Sequence, residues 1–91
     1  MVAAVVLIRA EREAIPTTAR KVADIDGVAE VYSVSGDWDL IAIIRVPEWE
    51  HIAGLVTEQL ARVSGIERTN TLVAFRVFSR RDIESAFDMF E

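Results

Sequence analysis

Ser33-Val34-Ser35-Gly36-Asp37-Trp38-Asp39-Leu40 is the stretch on which the reading of this chain of 91 residues turns. Upstream, Val31-Tyr32-Ser33-Val34 alternates in polarity, as a half-buried strand does. Downstream, Leu40-Ile41-Ala42-Ile43-Ile44 is a second, more apolar run. A Gly-Asp pair between two such runs signals a β-hairpin, because tight turns need residues that tolerate positive φ. Two carboxylates and an indole exceed what a turn requires. They point either to a polar-rimmed pocket at the hairpin mouth or to turn polarity beside a core tryptophan.

The remaining elements follow outward from this hairpin. Residues 2–8 are short, β-branched and apolar on both alternating faces, the pattern of a central strand. A helix starts near Glu13–Pro16, since proline is tolerated in a first turn. Ile15, Ala19, Val22 and Ala23 share one helical face, and Asp26-Gly27 stops the helix. A second strand spans residues 28–35 and a third spans 38–46, ended by Pro47. Glu48 and Glu50 then suit the positive end of a second helix, whose inner face carries Trp49, Ile52, Val56, Leu60 and Val63. Ser64-Gly65 stops it, and a last strand covers residues 67–79 around Leu72-Val73-Ala74-Phe75. Residues 1–81 thus read as one domain. Residues 82–91 read as a tail or short helix, with Ile83, Ala86, Phe87 and Phe90 at helical spacing.

The order is strand, helix, strand, strand, helix, strand. Asp26-Gly27-Val28 and Ser64-Gly65-Ile66 form a weak internal repeat, 65 − 27 = 38 positions apart. Two β-α-β halves with right-handed crossovers predict an α+β, ferredoxin-like βαββαβ sandwich. In that fold a four-stranded antiparallel sheet carries both helices on one face. The uncovered face should then be polar in a monomer. Instead, Ala3, Val5 and Leu7 of the first strand, Ile41 and Ile43 of the third, and Leu72, Ala74 and Phe78 of the last would lie there. A sheet apolar on both faces needs a second cover, and the simplest is another copy of the chain in a two-fold, sheet-to-sheet homodimer.

Composition narrows the function classes. A chain this short buries only about 60–65% of its unfolded surface. It has no Cys to reinforce its core, yet 52% of its residues are hydrophobic, which again favours an oligomer. Net charge is −5, with fifteen acids against nine Arg and one Lys. That argues against a nucleic-acid binder, which would show a basic stripe, and against an anionic membrane surface. The amino-terminal apolar run is too short for a membrane span and lacks a basic leader, so a cytoplasmic protein is expected.

Few residues suggest catalysis, and neither a catalytic residue, a metal site nor a cofactor is expected. No glycine-rich phosphate loop or metal-spaced cluster is evident. His51, the single histidine, has no evident acid/base partner and reads as a helix-surface residue. Asp37 and Asp39 alternate along an extended segment, so they point to opposite faces and would not converge as a carboxylate pair without help from the turn. Binding is better supported. Arg68-Thr69-Asn70-Thr71 opens the last strand with four hydrogen-bonding side chains. Thr69 and Thr71 share a face, and hydroxyls that donate and accept suit a small zwitterion. Threonine is equally a good strand residue.

Together, the βαββαβ order, the segment Val31–Leu40 and the segment Gly65-Ile66-Glu67-Arg68-Thr69-Asn70-Thr71 resemble the effector-binding (RAM) domain of the Lrp/AsnC transcription regulators. The resemblance covers roughly residues 2–81. That family typically has a Gly, a polar residue, an aromatic and an Asp at this hairpin, and an Arg-Thr-x-Thr-like start to its last strand. Its full-length members carry an amino-terminal helix-turn-helix domain. This chain begins at the first strand, so it resembles the stand-alone module.

The resemblance implies dimers that assemble into rings, commonly octamers, with small amino acids bound in clefts between dimers. Carried over by position, the ligand-binding candidates are Gly36, Asp37, Trp38, Asp39, Thr69 and Thr71, with Tyr32 and Val34 as weaker additions. Gly36 would permit close approach. Asp37 or Asp39 would pair with an α-ammonium, and hairpin amides would receive the carboxylate. The expected function is a non-enzymatic, amino-acid-binding regulatory module. It would work through ligand-linked assembly or through a full-length Lrp/AsnC regulator, and would not bind DNA itself.

Three other readings compete. An ACT-like regulatory module would place ligand at the first strand–helix connection, but Ala10-Glu11-Arg12-Glu13 has no glycine there. A dimeric α+β barrel enzyme, of monooxygenase or isomerase type, would need a polar group between sheet and helices, where the expected positions are apolar. A purely structural oligomerisation domain would bind nothing.

Overall fold

In a computed structural model, which describes residues 1–78 and 80, the chain folds as β1 (Val2–Ala10), α1 (Ile15–Ala23), β2 (Val28–Ser33), β3 (Leu40–Val46), α2 (Trp49–Gly54) and β4 (Ile66–Val73). A 3₁₀ turn at Arg12–Ala14 leads into α1. The four strands form one antiparallel sheet in the order β2-β3-β1-β4. The most apolar strands, β1 and β3, are central and pair from Val2↔Val46 to Ile8↔Leu40. The more polar β2 and β4 take the edges, where one side of the ladder stays open to water.

Strand periodicity places the core. Ala4, Val6, Ile8 and Ala10 of β1 and Leu40, Ala42, Ile44 and Val46 of β3 point to one face and are buried. Val22 of α1, Ile52 of α2, and Leu55 and Leu60 beyond it complete a single cluster on them. Both helices therefore cover the same face, as expected. Burying each of the larger members, Ile8, Leu40, Ile44 and Leu60, stabilises the fold by roughly 1.5–3 kcal/mol. On the opposite face Ala3, Val5, Leu7, Ile41 and Ile43 remain partly accessible, and Leu72 is 52% exposed. The sheet is thus apolar on both sides within one chain.

The internal repeat has a structural basis. Gly27 and Gly65 sit at φ +99 and +95. The carbonyl of Gly27 accepts the Arg45 N–H at 2.8 Å, and that of Gly65 accepts the Glu11 N–H at 2.9 Å. Each glycine thus ends its helical segment and ties the turn to a central strand or its end. A side chain at Gly65 would also strike the Thr18 hydroxyl. Thr18 is buried, its hydroxyl donates to the Ser64 carbonyl at 3.4 Å, and Lys21 Nζ donates to Ser64 Oγ at 2.8 Å. Two side chains of α1 therefore clasp the turn that opens β4.

Several expected boundaries move. β1 runs two residues further than expected, to Ala10. β2 stops at Ser33 and β3 starts at Leu40, so the connection is a six-residue loop, 34–39, rather than a tight turn. Trp49, expected on an inner face, is 52% exposed, because it opens α2 before the helix settles onto the sheet at Ile52. The second helix is also broken: a π-helical turn, Leu55–Gln59, and a 3₁₀ turn, Leu60–Arg62, follow α2. Thr57 Oγ1 donates to the Ala53 carbonyl at 2.7 Å, and such back-bonding competes with the helical ladder. β4 ends at Val73, paired with Ala4, rather than at Ser79. One more bond, Ala74 N–H to the Ala3 carbonyl, follows before β1 runs out. Phe75, Val77 and Phe78 then stand 96, 63 and 78% exposed. The expected tail, 82–91, lies outside the described residues.

Candidate functional site

Loop 34–39 is shaped by its last residue. The Val34 N–H donates to the Asp39 carbonyl at 3.0 Å, closing the loop. The Asp39 N–H donates to the Ile8 carbonyl at 2.9 Å, and Asp39 Oδ2 accepts the Ala10 N–H at 2.9 Å. One residue between β2 and β3 therefore makes two bonds to β1 and draws the loop to the end of the sheet where β4 begins. There the Arg68 guanidinium lies 5.6 Å from the centroid of the Trp38 ring, within cation–π range. Arg68 pairs with Arg9 across the β1–β4 ladder, and Thr69 pairs with Ile8. Trp38, Asp39, Arg68 and Arg9 are gathered at one end of the molecule, with Thr69 on the adjoining strand position.

The other predicted residues divide. Gly36, at φ +107 with open space around it, and Asp37 form the exposed loop tip. Val34 is half-buried and holds the loop closed. Thr69 and Thr71 oppose Ile8 and Val6, so they lie on the helix-covered face. Thr71 is half-buried there, and Thr69 lines a cleft of about 180 Å³ with Val56, Leu60, Val63 and Ile66. Tyr32 is not brought to this cluster. It opposes Ile41 on the other face of edge strand β2, three strand spacings, or about 14 Å, from β4. Arg9 is absent from the sequence candidates, and Arg68 enters them only as one of a polar run. Their pairing is a matter of register, which the residues themselves do not announce.

The geometry bears on what this site can do. A cleft of about 180 Å³ is smaller than the roughly 300–1,000 Å³ of ordinary ligand sites, so a second wall would be needed to enclose an organic ligand. A second cleft, of about 330 Å³, lies where β3 leads into α2, between Asp26, Arg45, His51 and Gln59, and His51 is exposed on its rim. Between sheet and helices, the buried polar side chain among the described residues is Thr18, already bonded to Ser64. Among the described residues, no group of three or more acids or histidines is placed to hold a metal, and no helix is long and apolar enough to cross a membrane. At Tyr32, a hydrogen bond to Glu30 raises the phenol above its ordinary pKa, with desolvation and the Glu30 charge acting the same way and Arg45 opposing.

Comparison with known proteins adds the context. A family model described as the Lrp/AsnC ligand binding domain matches residues 3–83. An uncharacterised HTH-type transcriptional regulator of Pyrococcus furiosus is 37% identical over 57 residues, covering 63% of this chain and 38% of that protein. The match thus spans little over a third of the length of this curated relative. A crystal structure of a Thermus thermophilus protein superposes with a TM-score of 0.82 at 40% identity, covering 88% of this chain and 100% of that one. A transcriptional regulator of Neisseria meningitidis, solved as its L-Met complex, shares the fold with a TM-score of 0.76 at 12% identity, over 87% of this chain and 53% of that one.

Proposed function

The chain belongs to the Lrp/AsnC ligand binding domain family, and on that premise we propose that it is a non-enzymatic regulatory module that binds a small amino acid. The observation that carries this reading is the approach of Trp38, from the hairpin loop beside Asp39, to Arg68 near the start of β4, with Thr69 the next residue along that strand. The cluster combines a carboxylate, a guanidinium and an indole face, with the Thr69 hydroxyl on the adjoining strand position, groups that can recognise a zwitterion. The adjoining cleft, lined by Arg68 and Thr69 but not by Trp38 or Asp39, is too small within one chain to enclose such a ligand. The ligand-binding site therefore lies between dimers, where Gly36, Asp37, Trp38, Asp39, Thr69 and Thr71 meet a neighbour's surface. Tyr32, on the open face and remote from the cluster, serves the subunit interface instead. The L-Met complex of the Neisseria meningitidis regulator, a protein of the same fold, supports an amino acid as the ligand class.

Assembly follows from the same surfaces. The open face of the sheet, with Val5, Leu7, Ile41, Ile43 and Leu72, packs on its copy in a two-fold homodimer. Dimers then associate into a ring, an octamer, and ligand between dimers biases that assembly. Residues 1–81 constitute this module. It senses a metabolite in the cytoplasm, alone or with a full-length Lrp/AsnC regulator, and does not bind DNA itself.

The test is thermal unfolding against each of the twenty amino acids, repeated with Asp37→Ala and Thr71→Ala. A ligand at 100 times its dissociation constant stabilises by about 2.7 kcal/mol, which is several degrees for a domain of this size. A shift with at least one amino acid that either variant weakens supports the reading. No shift with any of the twenty removes it, and specific duplex binding by the isolated chain in a gel-shift assay would remove its regulatory half.

A further inference from the structure

We propose that Arg68, held beside Trp38, and Arg9, its cross-strand partner, read a second carboxylate on the ligand, so that the effector is an acidic amino acid. This rests on the amino-acid reading of the site and narrows it to one side-chain chemistry. The register sets Arg9 and Arg68 directly opposite each other on β1 and β4, at the end of the open face beyond Leu7 and on the opposite face from Thr69, and both are exposed within one chain. Like charges facing each other across a ladder destabilise a sheet. The arrangement is the more pointed in a chain whose net charge is −5, where a basic pair is not a by-product of basic composition. A bound anion between the two guanidinia would turn this repulsion into two charge-assisted contacts.

The surroundings fit that occupant. Trp38 takes Arg68 on its ring face, 5.6 Å from the centroid, which steadies the guanidinium while leaving its donors free for a carboxylate. Asp39 stands beside Arg9 with one oxygen, Oδ2, committed to the Ala10 N–H and Oδ1 available to an ammonium. Arg9, Arg68 and Asp39 together carry one net positive charge. A neutral amino acid leaves one guanidinium unanswered. A glutamate or aspartate, with one ammonium and two carboxylates, matches the three charges one for one.

The experiment is calorimetric titration of the whole chain with L-glutamate, L-aspartate, L-glutamine, L-asparagine and inorganic phosphate at matched ionic strength. It is repeated on Arg68→Gln, Arg9→Gln and, as a charge-matched control beyond the end of β4, Arg76→Gln. At least one acid should bind about tenfold or more tightly than its amide, as one lost charge-assisted contact implies. That ratio should fall to about threefold or less in Arg68→Gln and Arg9→Gln, and persist in Arg76→Gln. Without ligand, Arg9→Gln should not melt below the parent, since it relieves a like-charge pair, whereas Arg68→Gln also loses its contact with Trp38; if one fails to fold, the other reads the same ratio. An amide bound as tightly as its acid overturns the assignment while leaving the amino-acid site standing. Phosphate bound as tightly as the acids, or a ratio that survives in both variants, also overturns it. Absence of binding by all four amino acids overturns this inference; the functional reading beneath it falls only if none of the twenty amino acids shifts the thermal transition.

Discussion

The carboxylate of Asp39 accepts the backbone N–H of Ala10 at 2.9 Å, across a sequence separation of 29 residues. Together with the Asp39 N–H on the Ile8 carbonyl, this bond fastens the hairpin loop to the end of β1. It gives the two hairpin carboxylates different work, since Asp37 is exposed at the loop tip. Asp39→Ala should cost about 1–3 kcal/mol by stranding the part-buried Ala10 N–H, whereas Asp39→Asn, which keeps an acceptor, should cost less. Asp37→Ala should change stability by no more than about 0.5 kcal/mol. Urea denaturation of the three variants checks this order.

Glycine substitutions should separate by environment. Gly65→Ala combines a left-handed φ of +95 with a clash against the Thr18 hydroxyl, and should cost about 2 kcal/mol or more. Gly36→Ala, at φ +107 in open space, bears the conformational term alone, about 1 kcal/mol. Gly54→Ala should stabilise by about 0.4–1 kcal/mol, because Gly54 is helical, at φ −61, and a methyl there meets nothing within 4 Å. Thermal melts of all three give the ranking.

The open sheet face should control association. Ile43, half-buried in one chain, sits near the centre of that face between Glu30 of β2 and Val5 of β1. Ile43→Glu should place a charge in the dimer interface while leaving the helix-side core untouched. Sedimentation at micromolar concentration should show a folded monomer where the parent is larger, with an unchanged far-ultraviolet circular dichroism spectrum.

Tyr32 is the single tyrosine, so alkaline absorbance at 295 nm reports on it alone. Its midpoint should lie above the ordinary tyrosine value of about 10, and Glu30→Gln should bring it down. A raised acidic pKa means the folded state holds the proton more tightly. The associated stability is therefore fully present below the ordinary value and is lost as pH rises through the raised one.

The strand–helix order was legible because burial follows periodicity. Val2 to Ile8 alternates into two apolar faces, Ile15, Ala19 and Val22 recur at helical spacing, and Gly27 and Gly65 stop their helices at positive φ, as chain-local sterics require. The displaced boundaries follow from what lies beside each strand rather than from its own residues. β4 carries apolar residues to Phe78 but loses its partner after Ala3, and β3 yields Trp38 and Asp39 to a loop because β1 offers Asp39 two hydrogen bonds there. Trp49 escapes the pattern because helical spacing marks a face but not the point where the helix meets the sheet.

The amino-acid sequence by itself determined the βαββαβ order, the two glycine stops, the double-sided apolar sheet and the approximate location of the candidate site, because each follows from local sterics or from the period of burial. Tertiary structure decided which of those residues meet. Cross-strand register set Arg68 against Arg9 and Thr69 against Ile8, the sheet order carried Tyr32 away to the far edge, and the bonds of Asp39 to β1 brought Trp38 onto Arg68. Register and long-range hydrogen bonds depend on residues tens of positions apart, so no local window contains them.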